Sequence, residues 1–217
     1  MFIGHFAVGL ALKRWAPKTN LGWLIAAVCF LDALWPFFLL AGLEKVEIIP
    51  GTTAFTPLNF ISYPYTHSLV MVVVWSIVFA AIYFAFSRYK AGAIAVAIGV
   101  LSHWFLDAIV HRPDLPLYPG GEKFGLGLWN SVPATLILEG SMFAAGLWIY
   151  LMTTRSRDRI GTYVLWIFVI IVLLSYIGAA FGPPPPSTTT LIYFAPVVWL
   201  YVALAAWADR HRQPTTN

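Results

Sequence analysis

Residues 66–87 and 90–111 read THSLVMVVVWSIVFAAIYFAFS and KAGAIAVAIGVLSHWFLDAIVH, two apolar runs parted only by Arg88 and Tyr89. Each is about as long as the 20 residues a helix needs to cross a bilayer core. The second also carries His103, Asp107 and His111 four residues apart, in a setting where every ionisable side chain is costly. Runs of the same kind recur at 2–14, 21–42, 128–152, 160–181 and 190–209. The pattern predicts an all-α integral membrane protein with seven transmembrane helices. The first is short: about 13 residues rise only about 20 Å, against about 30 Å of hydrocarbon. Composition agrees, because 60% of the 217 residues are hydrophobic and 10% are charged, whereas soluble domains carry about a quarter charged residues.

Taking alternate breaks between the runs together, one side holds Lys13, Arg14, Lys18, Arg88, Lys90, Arg155, Arg157, Arg159, Arg210 and Arg212, and the other Lys45, Arg112 and Lys123. The positive-inside rule then puts the N-terminus outside, the C-terminus in the cytoplasm, and the connections 43–65 and 112–127 on the outer surface. The net charge of +4 is accounted for by orientation and implies no nucleic-acid partner. In the first segment the basic residues follow the apolar stretch, unlike those of a secretory signal. Cys29, the single cysteine, is assigned to packing. The chain divides into a bundle at 1–152 and two further helices at 153–217, joined through the stiff Pro183–Pro186 connector and ending in a basic tail.

Ionisable residues inside the runs are few: His5, Asp32, His67, His103, Asp107, His111 and Glu139. On the predicted topology all seven share the outer half of the bundle. The spacing of four projects His103, Asp107 and His111 along one helical face, and imidazole with carboxylate is a zinc-type ligand set, with manganese or iron as alternatives. Each residue also has an unremarkable role open to it. His103 and Asp107 can bridge helices by hydrogen bonding, His5 and His67 can face water, and Asp32 and Glu139 can be hydrogen-bonded acids. A metal site of one to three ions accounts for all seven at once and offsets the burial of three carboxylates. Pro36, by leaving the Asp32 carbonyl without its helical partner, predicts a kink at that carboxylate. Arg112 is read as an interfacial cation and His211 as a solvated tail residue.

The pieces GHFAVGLAL (4–12), FLDALWP (30–36), YTHSL (65–69), GVLSHWFLDAIVH (99–111) and LILEG (136–140) resemble the YdjM-like family of bacterial and archaeal integral membrane proteins, described as membrane-bound metal-dependent hydrolases. The resemblance runs from His5 to about Tyr150 and leaves the last two helices outside. The order of ligand residues is also similar to that of zinc-dependent bacterial phospholipases C and fungal zinc nucleases. That likeness implies that His5 shares a zinc with the N-terminal residue, that Asp32, His67, His103 and Asp107 surround a second ion, and that His111 and Glu139 serve a third. Those enzymes carry a histidine four residues before the glutamate, where this chain has Thr135.

The resulting expectation is a zinc-dependent hydrolase of the bacterial or archaeal inner membrane, with its site at the outer face. Asp107 bridges metals, Asp32 is the candidate general base, and Arg112 and Lys123 steady a phosphate. The expected partner is a membrane lipid or lipid-linked substrate, without a protein partner. The alternatives are a proton- or metal-coupled transporter and a scaffold with a structural metal site. A relay would continue to the cytoplasmic side, and the inner halves of the helices are read as free of acidic residues.

Overall fold

A computed structural model describes residues 1–215. The order of elements is α1 (Ile3–Leu12), α2 (Leu21–Val28), α3 (Phe30–Leu40), β1 (Lys45–Ile48), β2 (Leu58–Ser62), α4 (Leu69–Ser87), α5 (Lys90–Val110), β3 (Leu115–Pro116), β4 (Lys123–Phe124), α6 (Val132–Thr153), β5 (Thr154–Ser156), α7 (Arg159–Phe181), α8 (Thr188–Phe194), α9 (Val197–Arg210) and β6 (Arg212–Pro214). Among the described residues five helical stretches are long and apolar enough to span a membrane: α4, α5, α6, α7 and the run 188–210. The pair α2 and α3, bent by 49°, makes a sixth if taken as one span. Among the described residues five or six stretches therefore reach spanning length, and the first predicted run does not.

The missing span is α1, whose ten residues rise about 15 Å. Ile3, Gly4, His5, Phe6, Ala7, Gly9, Leu10 and Leu12 are all buried, so this helix is covered by protein and has no need of bilayer length. It packs on α2, α5, α6 and α7. The α1–α6 approach is close because Gly146 has no side chain: a Cβ there would meet the backbone of Ala7. Small residues at such crossings are the usual means of bringing helices together in lipid. By contrast, α4 buries only Val72, Ser76, Phe79 and Tyr83, a single stripe at helical spacing. Val73, Val74, Ile77, Ile82 and Phe86 point outward, as a lipid-facing helix requires.

Two predicted runs are interrupted. Residues 21–42 break at Cys29, which has φ −99° and ψ 4°, one turn before the position that Pro36 suggested, while Pro36 itself lies within α3. Residues 190–209 divide into α8 and α9 at Ala195 and Pro196. Proline restricts the residue before it and has no N–H to donate to the preceding turn. The expectation of an all-α chain also needs amendment, because the connections form three two-stranded antiparallel sheets, β1 with β2, β3 with β4, and β5 with β6.

Contacts join the basic breaks into one end of the bundle. Lys13 Nζ donates to Asp209 Oδ2 at 2.6 Å and to the Thr19 carbonyl at 2.8 Å. Asp209 also accepts from the Leu21 N–H and from the Tyr150 hydroxyl. This acid corrects the expectation that the basic end holds no buried carboxylate, although it is fully engaged in pairing. Arg212 donates to the Thr154 hydroxyl and carbonyl across the β5–β6 pair, and the Arg157 N–H donates to the His211 carbonyl. His211, expected to be a free tail residue, instead pairs with Asp158 at 2.7 Å. That hydrogen bond holds the exposed Asp158 carboxyl below its ordinary range.

Candidate metal centre

The opposite end of the bundle gathers the ionisable residues. The break at Cys29 starts this local geometry by releasing the Val28 carbonyl from the helical ladder, and His103 Nδ1 reaches that carbonyl at 2.8 Å. A carbonyl only accepts, so Nδ1 carries a proton, and in the neutral ring Nε2 presents its lone pair. His103 Nε2 lies 3.2 Å from Asp107 Oδ2 and 3.7 Å from Asp32 Oδ1, yet this fully buried nitrogen makes no hydrogen bond. His67 Nε2 lies 3.6 Å from the same Asp32 oxygen. Three lone-pair atoms thus converge from α3, the start of α4 and α5.

Such a convergence of acceptors is repulsive unless a cation lies among them. A proton on His103 Nε2, 3.2 Å from Asp107 Oδ2, relieves part of it, and a metal ion held among the three groups would relieve all of it. Bonds of about 2.0–2.2 Å in a tetrahedral shell separate ligand atoms by about 3.3–3.5 Å, close to the observed 3.6 and 3.7 Å. Among the described residues two groups could hold an ion, Asp32 with His67 and His103, and His5 with His103 and Asp107. His103 has only Nε2 to give, since Val28 occupies its other nitrogen, so it ligates in one group at a time.

Asp107 is the hub of the second group. Its Oδ1 is paired with the Met1 amine and lies 3.1 Å from His5 Nε2, while Oδ2 faces His103 and, at 3.9 Å, His111 Nε2. The His5 ring stacks on His103 with centroids 3.8 Å apart, and its buried Nδ1 has no partner. His111 and Glu139 stand beside these groups. His111 caps the end of α5, its N–H donating to the Asp107 carbonyl at 2.8 Å, and its ring stays on the side of α5 that carries Asp107. Its Nδ1 is 2.9 Å from Asp114 Oδ1, which also accepts from the Tyr63 hydroxyl at 2.8 Å. Burial pushes the Asp114 carboxyl up, but its hydrogen bonds with His111, Tyr63 and Arg112 outweigh this and hold it below the ordinary range. Glu139 Oε2 accepts from the Phe2 and Gly4 N–H groups at 2.8 and 3.2 Å, serving the start of α1. The Thr135 hydroxyl is spent on the Leu128 and Ser131 carbonyls.

A cavity of about 170 Å³ opens over the cluster, lined by Asp32, His67, Asp107 and His111 below and by Trp35, Phe55, Phe60 and Trp129 around it. Asp32 is the open carboxylate, its side chain 42% exposed. Arg112 and Lys123 are not part of this lining. Arg112 is held by Asp114 and Asn59, and Lys123 donates to the Ile61 carbonyl, so both brace the β1–β2 hairpin. Residues that the sequence did not single out, Glu44, Tyr63, Thr66 and Asp114, surround the histidines from connecting segments whose polar side chains look like ordinary loop residues.

A model of the YdjM inner membrane protein family matches residues 1–183. The match takes in α7 and so extends past the stretch ending near Tyr150 that carried the resemblance. No curated protein and no solved structure matches the chain.

Proposed function

This chain belongs to the YdjM inner membrane protein family, and from its buried cluster we propose that it is a membrane-embedded metal-dependent hydrolase acting on phosphodiester bonds of lipid or lipid-linked substrates. The observation that carries the reading is the convergence of Asp32 Oδ1, His67 Nε2 and His103 Nε2 on one point at the floor of an open cavity. Asp32, His67 and His103 would hold a divalent ion, zinc by the chemistry of these donors, which would supply the positive charge to polarise a phosphoryl oxygen and make bound water more acidic.

The remaining work falls to the chain. Asp32, with one oxygen turned to the histidines, has Oδ2 to take a proton from attacking water. Asp107 balances the Met1 amine beneath the site, and the stacked His5 ring fixes His103 from the side. Trp35, Phe55, Phe60 and Trp129 shield the reaction from bulk water. At about 170 Å³, the cavity is well below the roughly 300 Å³ of a drug-sized pocket. It suits a head group while the acyl chains stay in lipid. The collection of basic residues at the opposite end of the bundle supports a site at the outer face, by the positive-inside rule.

Incubation of the metal-replete protein with a panel of lipid extracts tests the reading. Consumption of one phosphodiester lipid should stop with a chelator, return with zinc, and be absent in Asp32→Asn. A metal-replete protein that consumes none of the panel, or an Asp32→Asn variant as active as the wild type, would contradict it.

A further inference from the structure

Glu44 stands just after α3 and is 2% exposed, with no cation paired to it among the described residues. A buried carboxylate without a counter-charge must be compensated by donors, and this one has three. Its Oε1 accepts from the N–H groups of Tyr65 and Thr66, both at 2.8 Å, and its Oε2 accepts from the Thr66 hydroxyl at 2.7 Å. On its other side the same hydroxyl oxygen is 2.7 Å from His67 Nδ1. A hydroxyl has one proton to give. With that proton committed to Glu44, Thr66 Oγ1 accepts from His67 Nδ1–H, and His67 Nε2 is left with its lone pair facing Asp32.

We propose that Glu44, acting through the Thr66 hydroxyl, is a positioning residue that sets the tautomer of His67 and so offers its Nε2 to a metal ion; the metal half of this inference rests on the reading above. His103 and His111 reach the same state through direct partners, the Val28 carbonyl and Asp114. At His67 a hydroxyl intervenes between the ring and the carboxylate, and a hydroxyl can be reversed. Glutamine at position 44 keeps a carbonyl for the two backbone N–H groups but presents an NH₂ to Thr66. The hydroxyl then turns toward His67 Nδ1 and forces the proton onto Nε2, the ligating atom. A role limited to capping the 65–66 turn predicts no such reversal, because glutamine satisfies it.

The test uses Glu44→Gln, Thr66→Val and Thr66→Ser in the full chain. Nitrogen-15 NMR of the metal-free protein reads the His67 tautomer, and competition with a chelator reads zinc affinity. Wild type and Thr66→Ser should show Nδ1–H, Glu44→Gln should show Nε2–H, and Thr66→Val should show a mixture. Zinc should bind about tenfold to a hundredfold more weakly to Glu44→Gln and Thr66→Val, the usual cost of losing a partner behind a ligating histidine, and normally to Thr66→Ser. Unchanged tautomer and affinity in Glu44→Gln and Thr66→Val would overturn the proposal. Should Glu44→Gln not fold, the Thr66→Val and Thr66→Ser pair makes the same decision. Tautomers that shift as expected in the variants, with a wild-type chain that binds no zinc, would uphold the relay and overturn the metal reading alone.

Discussion

His103 belongs to both candidate ligand groups, which makes it the most informative single residue. His103→Ala should lower bound metal at least tenfold, read by element analysis of the purified protein. Thr135→Val should leave metal content unchanged and cost about 1 kcal/mol of stability for its lost hydroxyl bonds, read by thermal unfolding. Glu139→Gln should likewise retain metal, since a glutamine carbonyl still serves the Phe2 and Gly4 N–H groups. The sequence made His5, Asp32, His67, His103 and Asp107 legible because an ionisable side chain in an apolar run has few other reasons to be there. It hid Glu44 and Asp114, which lie in connecting segments where a carboxylate is commonplace. What turns them into partners of histidines is the folding of those segments over the helix ends.

Helix-to-helix contacts carry their own expectations. Gly146→Ala would drive a Cβ into the backbone of Ala7, and overpacking at an unyielding contact costs about 1–3 kcal/mol. Asp209→Ala would leave Lys13 buried without its partner, at a cost of about 3–5 kcal/mol. Thermal unfolding in detergent should show both losses, and an Asp209→Ala chain as stable as wild type would mean that Lys13 escapes to water. Apolar run length identified α4, α5, α6 and α7 within a few residues. It could not show that α1 is covered by protein, because hydropathy reads apolar composition and not what surrounds it. The bend at Cys29 was invisible for a different reason. The carbonyl it frees is taken up by His103, a contact between residues far apart in sequence. The Ala195–Pro196 break carried a local signal in the proline, which the run length outweighed.

Across the whole molecule, basic residues collect at one end and the histidine–carboxylate cluster at the other, and contacts such as Lys13 with Asp209 and β5 with β6 hold the basic breaks together. The alternation of loop charge made that polarity readable from sequence. Single cysteines at Tyr118 and Arg157 in a Cys29→Ser background, probed with a membrane-impermeant thiol reagent, test the orientation. Tyr118→Cys should label from outside and Arg157→Cys only after permeabilisation, whereas the reverse pattern would place the cavity on the cytoplasmic side. The central claim, that the converging lone pairs of Asp32, His67 and His103 are a metal site, is tested most directly by the metal content of the purified chain. The account predicts at least one tightly held divalent transition-metal ion per chain, lost to a chelator, regained with zinc, and missing from a folded His103→Ala variant. A wild-type chain that purifies without metal and takes up none when zinc is added would contradict it.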